Sequence, residues 1–177
     1  GMLPSEKTYL RSSAFDLFKN RIPWLMLLMV SATFTGLIIT AFEGVLDLVT
    51  GEFNYVNAGH EMPMISRGGA AFEAHKIRPG FVLAGMEDIR YRAGSLTLEP
   101  GDKLFQYTDG VTEATNASNE LYGMQRLTSV LAANAKLSVQ ELLPAVRADI
   151  DCFVGSAPQF DDITMLCLEY KARMAAE

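Results

Sequence analysis

Two short acidic motifs carry the chemistry this chain could do: Tyr107-Thr108-Asp109-Gly110 and Asp161-Asp162-Ile163-Thr164. Each sets a carboxylate at the end of an apolar run, residues 103–106 before the first and 165–168 after the second. Runs of this kind predict buried strands. A carboxylate at the end of such a strand is costly to desolvate unless its charge is compensated. A hard divalent cation held through oxygen ligands is one compensation. Plain turn chemistry is the other, because Asp-Gly is a common turn and Asp before a β-branched residue a common cap. Asp109 and Asp161 lie 52 residues apart, so a site using both is assembled by the fold and not by one loop.

The elements that must position these motifs follow from residue 40 onward. β-like runs over 42–48 and 53–57 flank Val49-Thr50-Gly51-Glu52, a hairpin signal. A short strand is expected over 62–65. Two more are expected over 90–98 and 103–107, joined by the turn Glu99-Pro100-Gly101-Asp102. A helix is predicted over 122–134. A second starts at Ser138, where Ser138-Val139-Gln140-Glu141 reads as a capping box. Its apolar stripe is Val139, Leu142, Leu143, Val146, Ile150 and Phe153, with Pro144 expected to bend the helix or weaken its first turns. A last strand is predicted over 163–170. Strands, then a helical pair, then a strand describe an α+β fold with mainly antiparallel sheets. The short connections between the early strands leave no room for parallel crossovers.

At 177 residues the chain is long enough for one domain with a sizeable core. Its apolar fraction of 49% excludes default disorder, and a net charge of −6 argues against a nucleic-acid surface. Cys152 and Cys167 each sit in an apolar run, so two buried free thiols and a reducing, cytoplasmic setting are expected. His60 and His75 have no Cys or His partner at zinc-like spacing. Residues 8–19 read as a short amphipathic helix. Residues 22–42, opening at Ile22 and closing at Phe42, carry no charge at all. That length can cross roughly 30 Å of hydrocarbon as a helix. Arg11, Lys19 and Arg21 before it and Glu43 and Asp47 after it are the flanks of a transmembrane segment that starts inside. A membrane-associated protein is therefore the alternative to a cytoplasmic one. In the absence of a membrane, so apolar a helix must pack on protein or at a dimer interface.

From about residue 40 to 170 the chain resembles the SpoIIE/RsbU branch of the PPM (PP2C-like) metal-dependent serine/threonine phosphatases. The stretches that carry the resemblance are G-V-L-D-L-V-T-G-E-F-N-Y-V-N-A-G-H (44–60), L-E-P-G-D-K-L-F-Q-Y-T-D-G-V-T-E-A (98–114), E-L-Y-G (120–123) and F-D-D-I-T-M-L (160–166). The resemblance implies a PP2C-like αββα sandwich, here in part, with a metal site at one sheet edge. It implies Mn²⁺ or Mg²⁺ as cofactor, with Asp109 and Asp161 as metal ligands and Asp162 as a ligand or its neighbour. The implied activity is hydrolysis of phosphoserine or phosphothreonine by a metal-activated water, in bacterial sigma-factor regulation. The implied substrate is a phosphoprotein like an anti-sigma-factor antagonist. Asn57, Gly59 and His60 match a family signature, and His60 is expected to hold the end of a hairpin. No individual catalytic side chain follows from the resemblance. A Gly-Asp-x-x-Gly-His-Gly-like motif, which supplies a bridging aspartate in the family, does not occur before Phe42. Slower turnover of a generic phosphate ester than by a complete domain is the expectation that follows.

Residues 7–43 resemble a different family, the first membrane helix of MgtE-type magnesium transporters. The resemblance rests on F-K-N-R-I-P-W-L (18–25), S-A-T-F-T-G-L-I (31–38) and A-F-E (41–43). The expected organisation is an N-terminal segment over 1–39, a PP2C-like domain over 40–172 and a tail over 173–177. Exposed sheet edges of a partial sandwich would favour a homo-oligomer. The competing functional readings are a non-catalytic interaction module that keeps the sandwich, and a membrane-anchored fusion.

Overall fold

A computed structural model describes residues 41–78, 80–83, 88–159 and 161–172. The expected helix over 8–19, and residues 22–40 of the one expected over 22–42, lie outside the described residues, while Ala41 is already in a strand. Phe42, expected to end the apolar helix and to begin a strand, stands in a strand. The first strands are β1 (Ala41–Leu46), β2 (Glu52–Ala58), β3 (Met64–Ser66), β4 (Glu73–Ala74), β5 (Ala93–Thr97) and β6 (Lys103–Tyr107). The helices α1 (Asp109–Thr112), α2 (Gly123–Ala133) and α3 (Val139–Val154) follow, and β7 (Met165–Glu169) closes the order. The strands form two sheets, ordered β1-β2-β5 and β4-β3-β6-β7, and all neighbours are antiparallel.

Alternation in the sequence explains the layering. Phe53, Tyr55 and Asn57 of β2 are buried, while Glu52 and Asn54 face solvent, the two-residue period of a half-covered strand. β6 is buried on both faces except at Gln106, which is half-buried. Leu104 joins Phe53 and Tyr55 between the sheets. Phe105 and Tyr107 point the other way, into a core with Leu127 and Leu131 of α2 and Leu142, Val146 and Ile150 of α3. Lys103 is buried too, and its Nζ donates to the carbonyls of Ala135 (2.7 Å) and Leu137 (2.5 Å). The turn between the helices is thereby tied to the sheet.

Helix α3 starts as its sequence requires: Glu141 accepts from the Ser138 N–H at 3.1 Å and from its hydroxyl at 2.7 Å. The helix runs unbroken through Pro144, which lies on its exposed side. Between β5 and β6, Asp102 N–H reaches Glu99 O at 2.9 Å, and Gly101 takes φ of 93°, a conformation that favours glycine.

Several expectations need correction. The first hairpin turns earlier than expected, because the Asp47 carboxylate accepts from the Val49 and Thr50 N–H groups and ends β1 at Leu46. The third and fifth strands begin at Met64 and Ala93, two and three residues late. Strand β4 was not foreseen; it exists only through pairing with β3. Cys152 is exposed on the solvent side of α3 and not buried. Cys167, in the core-side cluster of β7, is half-buried, and that burial pushes its thiol up to about 11. Both cysteines are free, as expected.

Candidate metal centre

The acid motifs converge because their strands are neighbours. β6 and β7 pair over their full length, with Tyr107 opposite Met165 at the end where both motifs lie. Beyond that pair the two chains stay joined. Thr108 N–H donates to Thr164 O at 3.0 Å, its hydroxyl donates to Asp162 O at 2.9 Å, and Thr164 N–H returns to that hydroxyl at 3.0 Å. Thr108 is thus the clamp of the edge, a role its place inside the first motif did not reveal.

Gly110 makes the approach sterically feasible. A Cβ on it would lie 2.4 Å from Asp162 O, well inside van der Waals contact. Asp109 opens α1, and its Oδ1 accepts from the Gly110 N–H at 3.0 Å. Asp161 Oδ1 accepts from the Asp162 N–H at 2.7 Å. Asp109, Asp161 and Asp162 are all exposed. All three residues therefore come to one edge of the four-stranded sheet, their carboxylates open to solvent. A depression of about 200 Å³ opens beside them, between Gly110 and Asp161 on one side and Arg147, Ile150 and Val154 of α3 on the other.

Oxygen donors at an open edge suit a hard cation in kind. They do not make a full ligand set. Among the described residues no group of three or more His, Cys, Asp or Glu could hold a metal ion. Mg²⁺ keeps several waters and takes only one or two carboxylates in many sites, so a small number of exposed carboxylates with water suits such an ion in kind.

His60 stands just past the end of its hairpin, where the Asn57 side chain holds its backbone. Asn57 accepts from His60 N–H at 2.8 Å and donates from Nδ2 to His60 O at 2.9 Å. Gln106 Nε2 donates to His60 Nδ1 at 2.7 Å and to Glu61 O at 2.8 Å. Gln106 Oε1 is buried with no partner among the described residues. The Tyr107 hydroxyl reaches Met124 Sδ at 3.1 Å, and its ionisation is pushed well up by burial and by Glu61. These groups brace β2, β3 and β6 behind the acid edge.

Among the described residues no helix is long and apolar enough to cross a membrane. The sequence model of the Stage II sporulation protein E (SpoIIE) family matches residues 20–171. That match takes in much of the segment that resembles a transporter helix, and the transporter resemblance gains no support. Protein IcfG of Synechocystis is 34% identical over 129 residues, covering 73% of this chain but 20% of IcfG. The fold is similar to the SiaA PP2C domain of Pseudomonas aeruginosa, with TM-score 0.59 and 23% identity over 69% of this chain and 48% of that one. It is also similar to the Mn-presoaked phosphatase domain of SpoIIE from Bacillus subtilis, with TM-score 0.59 and 15% identity over 78% and 59%. The chain thus spans a fifth of its curated relative and about half of these solved domains. With most of its length matched and a PP2C-like α+β fold, the chain belongs to the SpoIIE family.

Proposed function

We propose that this chain supplies part of a metal-dependent serine/threonine protein phosphatase. Its substrates are phosphoserine or phosphothreonine proteins of the anti-sigma-factor antagonist class, in bacterial sigma-factor regulation. The observation that carries the reading is the joined edge of β6 and β7, where Thr108 and Gly110 bring the Asp109 and Asp161–Asp162 segments together. Asp109 and Asp161 would hold Mn²⁺ or Mg²⁺, with Asp162 beside them. A bound ion of this kind lowers the pKa of a water and neutralises phosphoryl charge. The chain's own part is to fix the two carboxylates: backbone N–H groups of Gly110 and Asp162 each hold one oxygen, and the Thr108 clamp sets their separation. The depression beside Gly110 and Asp161 leaves room for polypeptide next to the edge. A cytoplasmic location accords with this substrate class.

Calorimetric Mn²⁺ titration of the wild type and Asp109→Asn, alongside a phosphatase assay, tests the site. Asp109→Asn removes one of two assigned carboxylates, and loss of Mn²⁺ binding is the expected result. Unchanged affinity would place the metal elsewhere. Turnover of a generic phosphate ester by this chain should be slow, because two carboxylates hold an ion weakly. A non-catalytic interaction module is the second reading, favoured by the small number of clustered ligands among the described residues. Phosphoprotein binding without any Mn²⁺-dependent turnover would select it.

A further inference from the structure

A second concave surface has the opposite charge to the acid edge. It encloses about 290 Å³ and is lined by Asn57, Arg78, Gly80, Phe81, Ile89, Arg90, Tyr91 and Arg92. Among the described lining residues three of eight are arginines and none is acidic, in a chain whose net charge is −6. All three arginines are exposed. Tyr91 is held in the wall by its hydroxyl, which donates to Val82 O at 3.2 Å, and Phe81 leaves half its surface in water.

This pocket lies at the acid-edge end of the sandwich. Gly80 N–H donates to Asn57 O at 3.0 Å. The Asn57 side chain holds His60, and His60 takes the Gln106 amide, two residues before Thr108. Hydrogen bonds therefore link Gly80 of this pocket to Gln106 of β6, the strand that leads to Asp109.

We propose that Arg78, Arg90 and Arg92 form a docking site for the acidic residues that flank the phosphorylated side chain of a polypeptide substrate. The proposal rests on the phosphatase reading above and names its substrate class more closely. Guanidinium groups present planar, paired donors that match carboxylates. Three guanidinium groups around one pocket can take several carboxylates along an extended segment. The arginines also offset the repulsion that Asp109, Asp161 and Asp162 exert on an acidic chain.

The test is binding by the full chain, in chelator, of two fluorescent phosphoserine peptides. One is rich in Glu and Asp around the phosphoserine; its twin carries Gln and Asn instead. Fluorescence anisotropy should show the acidic peptide bound about tenfold tighter, the size expected of three exposed ion pairs. Added salt should shrink that preference. The triple variant Arg78→Gln, Arg90→Gln, Arg92→Gln should bind both peptides equally, with an unchanged circular dichroism spectrum and unchanged Mn²⁺-dependent turnover of a small phosphate ester. If that variant does not fold, Arg90→Gln with Arg92→Gln should still lose most of the preference. Equal wild-type binding of the two peptides, no binding of either, or a preference that survives in the variants would overturn the proposal. So would tighter binding of a single-stranded oligonucleotide of equal charge. Absence of turnover with the charge preference intact would remove the phosphatase reading and leave the docking site standing.

Discussion

The two sheets use the same strand grammar and end in different environments. The four-stranded sheet β4-β3-β6-β7 lies under α2 and α3, and Phe105, Leu127, Leu131, Leu142, Val146 and Ile150 between them are fully buried. The three-stranded sheet β1-β2-β5 covers its inner face with Phe53, Tyr55 and Leu104. Its outer face carries no helix among the described residues, and Val45 there is 70% exposed. Coverage, and not strand propensity, separates the two. The acid edge belongs to the covered sheet, where a dense interior fixes backbone positions. The arginine pocket touches the less covered sheet through Asn57 of β2. The proposed metal site and the proposed docking site thus draw on the covered and the less covered halves of the molecule.

The largest expected effect separates the halves by stability. Leu142→Ala should cost about 3 kcal/mol by chemical denaturation, through lost burial and a residual cavity. Val45→Ala, on the open face, should stay within about 0.5 kcal/mol. Equal costs would show that the open face is covered in solution, by a second copy or by chain outside the described residues.

A smaller effect tests whether rigidity of the covered sheet serves the acid edge. Gly110→Ala puts a methyl against Asp162 O and should cost about 2 kcal/mol by overpacking. It should weaken Mn²⁺ binding, measured by calorimetry, while leaving the acidic-peptide preference untouched. Unaltered Mn²⁺ affinity would mean that the spacing of the two segments does not matter.

The smallest effect concerns the link between the halves. Arg67, just past β3, donates to Thr97 O of β5 at 2.7 Å and pairs with the buried Asp102 carboxylate. Burial pushes the Asp102 pKa up, but hydrogen bonds from Glu99 N–H, Arg67 and Gly68 N–H outweigh it and hold it below the ordinary 3.8. A carboxyl depressed in the folded state stabilises above its unfolded pKa and loses that contribution as pH falls through the folded value. Stability should therefore drop by about 1 kcal/mol as pH falls below 3.8, and Asp102→Asn should flatten that acid limb. An unchanged limb in Asp102→Asn would assign the acid loss to other carboxylates.

Local chemistry made much of this molecule legible. K-L-F-Q-Y gave β6 with its bounds intact, since a short apolar run before Asp-Gly has few other ways to fold. Ser138 and Glu141 announced the start of α3, because a capping box is satisfied within four residues. The two acid motifs were readable as strand-end carboxylates for the same reason, and mainly antiparallel sheets were readable from the α+β order. Other features depend on what lies across space. Strand β4 has two residues and exists only through β3. Cys152 sits in an apolar run, yet the rotation of α3 turns it to solvent. The role of Thr108 needs Asp162 and Thr164 beside it, and the arginine pocket gathers positions 57, 78 and 90–92 from separate segments. Sequence alone determined the central strand β6, the cap of α3 and the acid motifs, because those preferences are set by neighbours within one turn or one pleat. Only the tertiary structure decided which sheet is covered, which carboxylates share an edge and which arginines share a pocket, because packing and strand register bring together groups that are far apart along the chain.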